Sequence, residues 1–104
     1  MLTAVSCESR NGQRAIMSEP EMVNYLIELH IAEAQVQNLR LKKDSSNKVF
    51  QIYEKHLLNK NGLTDSLFIR SYNYYLQEPE ILEQIYETVV DSISVRKSKE
   101  DVAK

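Results

Sequence analysis

Two histidines, one cysteine and a group of tyrosines are the side chains through which this 104-residue chain could do chemistry. His30 and Glu33 stand three residues apart, a spacing that brings two side chains onto one helix face. An imidazole beside a carboxylate can work as an acid–base pair or supply two ligands to a metal. Two ligands are too few for a metal site, and the other histidine, His56, belongs to a different stretch. No Glu-x-x-His pair of the di-iron type is present either. Glu33 falls among the apolar positions of its segment, where a lone carboxylate would be strongly unfavourable. A structural role is therefore expected: His30 and Glu33 as a buried polar pair, with a tyrosine hydroxyl or a helix cap as further partners. A small metal-binding protein or enzyme built on His30, Glu33 and His56 is the less favoured alternative.

Cys7 is the single cysteine, so it has no internal disulfide partner, and no histidine lies near it in sequence to activate a thiolate. Its neighbours are more telling. Met1-Leu2-Thr3-Ala4-Val5-Ser6 is apolar and small, whereas Glu8-Ser9-Arg10-Asn11-Gly12-Gln13-Arg14 is polar from its first residue. Small side chains just before a cysteine, then a polar tether, are what a bacterial lipoprotein cleavage site requires: the peptidase admits small residues beside the cut, and the thiol takes the lipid. A full signal adds a charged start and an apolar stretch of about 7–15 residues, of which the end alone is present. The competing reading is an ordinary cytosolic N-terminus with a free thiol.

Other chemistries find less support. Gly12 and Gly62 are too far apart to form a phosphate-cradling loop. Gly62-Leu63-Thr64 has the form of a helix-turn-helix corner, and the helix after it offers Arg70, Asn73 and Gln77. The net charge of −2 nonetheless favours a bundle corner over a nucleic-acid reader. No apolar run approaches the length of a membrane-spanning helix. The expectation is a protein that is not an enzyme and carries no metal, no cofactor and no nucleic-acid partner. Among the tyrosines, Tyr72 and Tyr75 fit a core, while Tyr74 points elsewhere and is a candidate partner-binding surface.

The elements that position these residues follow from punctuation and period. With two Gly and two Pro in the whole chain, the many tight turns of a β fold are excluded. Residues 1–17 lack a sustained period and read as the end of a lipoprotein signal and a flexible polar tether. Ser18-Glu19-Pro20-Glu21 is a capping box with proline in the first turn, and it opens a helix over about 18–41. Met22, Tyr25, Leu26, Leu29, Ala32, Val36 and Leu39 form its apolar stripe. Lys42-Lys43-Asp44-Ser45-Ser46 breaks the pattern, with Ser45 or Ser46 expected to cap a second helix over 46–60 that carries Val49, Phe50, Tyr53 and Leu57. Gly62 suits the left-handed residue that closes it. Thr64 should cap a third helix over 65–76, striped by Phe68, Tyr72 and Tyr75 with Ser71 between them. A small residue there lets a neighbour come close, and the first and fourth helices are the candidates. Pro79 opens the last helix, 79–95, with Ile81, Leu82, Ile85, Tyr86, Val89 and Ile93 on one face and Glu80, Glu83, Glu87 and Asp91 on the other. Residues 96–104 read as a charged, disordered tail. The fold class is all-α: a small bundle of four amphipathic helices over 18–95. Its expected core is Leu26, Leu29, Phe50, Tyr53, Phe68, Tyr72, Tyr75, Ile85 and Val89.

Leu29-His30-Ile31-Ala32-Glu33-Ala34, within Met22 to Ala34, resembles a helix in a family of Bacteroidetes lipoproteins that carry a domain of unknown function. The resemblance continues through Tyr53, the Asn61-Gly62-Leu63-Thr64 turn, Phe68, Ser71, Tyr74 and Tyr75. It ends with Pro79, Ile85-Tyr86 and Val89, and so covers about residues 18–95. Members carry a lipobox just before this domain, which Ala4-Val5-Ser6-Cys7 matches; the upstream signal is the departure. The resemblance implies a lipid attached at Cys7 and a short helical domain at the outer membrane, on its periplasmic side. It supplies no activity. Joined to the polar tether, it leads to a lipid-anchored interaction module of the cell envelope that binds another envelope protein. A periplasmic chaperone-like or assembly subunit with an apolar groove is the alternative.

Overall fold

The computed structural model describes residues 15–103, with side chains described through Lys99. Four helices follow one another: α1 (Glu19–Asn38), α2 (Lys43–Lys60), α3 (Asp65–Leu76) and α4 (Pro79–Ala103). The all-α bundle is the fold that the four apolar stripes require. α1 packs against both α2 and α4, and α3 packs against α4. The molecule is elongated, 53 × 30 × 26 Å.

The start of α1 is built as its sequence dictates. The Ser18 hydroxyl accepts from the Glu21 amide at 3.3 Å, and the Glu21 carboxylate accepts from the Ser18 amide at 2.9 Å, so two otherwise unpaired donors are satisfied reciprocally. Thr64 caps α3 by accepting from the Leu67 amide at 3.1 Å. Gly62 has φ +68° just past the end of α2, the left-handed conformation open to glycine without steric cost.

Three boundaries differ from expectation. α1 ends at Asn38 rather than near residue 41, because Arg40 turns the chain with φ +56°. α2 begins at Lys43 rather than 46, with Lys42 as an N-cap that has no side-chain cap bond. Neither Ser45 nor Ser46 caps it; the Ser46 hydroxyl donates back to the Leu41 carbonyl at 3.4 Å. α4 runs on to Ala103, so 96–103 is helical rather than a disordered tail. No proline or glycine interrupts it after Pro79, and the residues that follow Val95 include the good helix formers Arg96, Lys97 and Lys99.

Of the expected core, Leu26, Tyr75, Ile85 and Val89 are buried, while Leu29, Phe50, Tyr53, Phe68 and Tyr72 are half-buried and packed against the cluster. Met17, Met22, Tyr25, Ile27, Ala32, Leu57, Leu58, Leu63 and Leu67 complete it. Tyr25 and Phe68 join α1 to α3, their ring centroids 4.8 Å apart.

Candidate functional site

The packed domain starts before its first helix. Met17 is fully buried and Ile16 packs against the core, so the packing includes residues ahead of the expected start at Ser18. Met17 occupies the position before the N-cap, and Met22, equally buried, is the fourth helical residue. These are the two positions of a hydrophobic staple. That signal was present in the sequence, as an apolar Ile-Met pair ahead of the capping box.

Three side chains of α3 hold this entry by its backbone. The Met17 amide donates to Ser71 Oγ at 2.7 Å. The Tyr75 hydroxyl donates to the Met17 carbonyl at 2.9 Å, and Arg70 Nε donates to the Ala15 carbonyl at 2.7 Å. Ser71 and Tyr75 are one turn apart, which places both on the same face and lets them grip the two ends of one residue. Ser71 is fully buried, and its hydroxyl also donates to the Leu67 carbonyl at 2.7 Å, so donor and acceptor are both used. A small residue at 71 does admit a close neighbour. The neighbour is the lead-in to α1 rather than a helix body, since a hydroxyl can satisfy an extended backbone but not a helical one. Burial raises the Tyr75 hydroxyl above its ordinary value, helped by the negative charges of Glu19 and Glu21 and by Tyr74, and so keeps it a donor.

Tyr74 is 44% exposed and meets Tyr75 edge-on, ring centroids 5.0 Å apart. It stands one turn after Arg70, on the flank where the N-terminal segment enters. Cys7 lies outside the described residues.

His30 and Glu33 do come together, Nδ1 to Oε1 3.6 Å, but at the surface, with side chains 43% and 53% exposed. The expected burial is wrong because their positions fall on the shoulder of α1, from which both side chains reach water. His30 also meets the edge of Tyr86, centroids 6.4 Å apart. The Tyr86 hydroxyl lies 3.1 Å from that of Tyr72, and burial with this hydrogen bond pushes Tyr86 up to about 12. His56 is exposed on α2 and lines a separate open cleft with Glu28, Tyr53 and Arg96. Among the described residues no three His, Cys, Asp or Glu side chains converge as a metal site would need.

The polar link between α1 and α2 was not anticipated. Glu28 accepts from Lys60 Nζ at 2.7 Å and from Asn61 Nδ2 at 2.8 Å, and Asn61 also donates to the carbonyl of Leu57 in the last turn of α2. The Lys60 hydrogen bond, against some burial, holds the Glu28 carboxyl below its usual value. Charge complementarity between residues 32 positions apart leaves no local signature, so the pair is invisible until the helices are placed.

No helix among the described residues is long and apolar enough to cross a membrane. No curated protein and no solved structure matches the chain. The model of one family, a domain of unknown function (DUF4296), matches residues 14–99, starting beside the Ala15–Met17 entry and spanning α1, α2, α3 and most of α4. The chain belongs to that family.

Proposed function

We propose that this chain is a lipid-anchored helical interaction module of the bacterial cell envelope, held on the periplasmic side of the outer membrane through Cys7 and binding another envelope protein. The observation that carries this reading is the fixed entry at Ala15–Met17. A domain tethered from its N-terminal side gains a defined orientation when the tether joins it at a buried, hydrogen-bonded point. Tyr74 lies beside that point, exposed and braced by Tyr75, so a partner bound there would sit close to the anchor. Exposed aromatic side chains with restricted motion are favoured interface anchors. The small residues Ala4-Val5-Ser6 suit a peptidase cut just before Cys7, whose thiol is the group that takes the lipid.

A photoreactive residue in place of Tyr74, in the full chain expressed in its native envelope, tests the reading. A discrete cross-linked protein is expected from position 74 and not from the exposed position of Gln37 at the far end of α1. Identical products from both positions, or none from 74, would count against it.

A further inference from the structure

The two most exposed large hydrophobic residues among those described are Ile52, at 68%, and Val90, at 58%. They lie on helices of opposite charge. Residues 40–60, around α2, carry six Lys and Arg against Asp44 and Glu54, whereas residues 78–95 of the α4 stretch carry five carboxylates and no Lys or Arg. Ile52 is flanked by Lys48 and Lys55, one turn to either side and both exposed. Val90 stands with Glu83, Glu87 and Asp91 on an open face of α4 that Tyr86 borders. None of these five charged side chains has an ion-pair partner among the described residues. Each face is therefore an aliphatic centre in a setting of one charge sign, and the two settings are complementary.

We infer that a second copy of this chain docks its Ile52 face onto the Val90 face of the first. Two copies of the same face repel one another, and a partner of uniform sign would satisfy just one of the two. A second copy satisfies both at once. The net charge of −2 presents little barrier to the approach of identical molecules. The faces differ in sequence, so the contact is heterologous, and the charges set its register while the aliphatic pair excludes water. Exposed charge pairs are individually weak, so the association is concentration-dependent and sensitive to salt. It does not depend on the lipid or on Tyr74.

Sedimentation of the full chain tests this. At low ionic strength the weight-average mass should rise with concentration. It should return to that of a monomer at about 1 M salt, where the screening length falls to about 3 Å. Lys48→Glu with Lys55→Glu, or Glu87→Lys with Asp91→Lys, should each weaken self-association by at least about tenfold, equivalent to about 1.4 kcal/mol. Mixing the two double variants should restore it, because each then presents what the other lacks. All four positions are exposed on helices, so circular dichroism should be unchanged. A wild-type chain that stays monomeric at low salt, or self-association that survives either charge reversal, overturns the inference.

Discussion

Met17 is held by its main chain as much as by its side chain, and the residues that do so differ in what they can lose. Ser71→Ala removes the acceptor from a buried amide and should cost about 1–3 kcal/mol in urea unfolding. Ser71→Leu should cost at least as much, since it also overpacks a site with no spare volume. Tyr75→Ala should cost about 3–5 kcal/mol, the range for a buried aromatic, while Tyr74→Ala should cost about 1 kcal/mol or less. Equal losses at 74 and 75 would mean that the phase of α3 is wrong. The phase itself was legible, because Phe68, Ser71, Tyr72 and Tyr75 fall on one face at helical spacing. What Ser71 touches was not, since periodicity names a face without naming what lies against it. The same limit explains His30 and Glu33: their spacing predicts their meeting, but a shoulder position is one turn angle from burial.

Punctuation carried the elements wherever a residue has one strong preference. Ser18, Thr64, Gly62 and Pro79 each mark a boundary that the structure keeps. Between α1 and α2 no such residue exists, and the boundary was misplaced there. Arg40 takes the left-handed conformation that a glycine would ordinarily hold, at a steric cost of about 1–2 kcal/mol. Arg40→Gly should therefore stabilise the chain by about 0.5–1 kcal/mol, once the greater freedom of glycine in the unfolded chain is subtracted. Gly62→Ala should do the reverse: no atom lies within 4 Å of an added Cβ, so the loss of about 1 kcal/mol would come from backbone conformation alone. Thermal melts of the two variants should move in opposite directions, and a shared direction would show that these turns are not conformationally limited.

At the scale of the whole molecule, the bundle depends on tyrosines that stay protonated. Burial, reinforced by Glu54, Asp65 and Glu28, pushes Tyr25 up to about 12, and burial with the Tyr72 hydrogen bond does the same to Tyr86. In the unfolded chain both ionise near 10. The stabilisation is thus complete below pH 10 and is lost as the pH rises from there through 12. Helix content should hold up to about pH 10 and then fall, with Tyr25 and Tyr86 ionising above the ordinary tyrosine value in an absorbance titration. Glu28 has the opposite sign: its lowered value stabilises the α1–α2 link above the ordinary carboxylate range and gives that up as the pH falls below it.

The proposed function turns on the N-terminal anchor, for which the fixed entry at Ala15–Met17 would be the receiving end. The intact mass of the mature chain, isolated from membranes of its native host, tests that claim most directly. A chain that begins at Cys7 and carries the added mass of a lipid there is predicted, with Cys7→Ala releasing the domain from the membrane fraction. A mature chain with residues 1–6 still attached and a free, unmodified Cys7 thiol would contradict it.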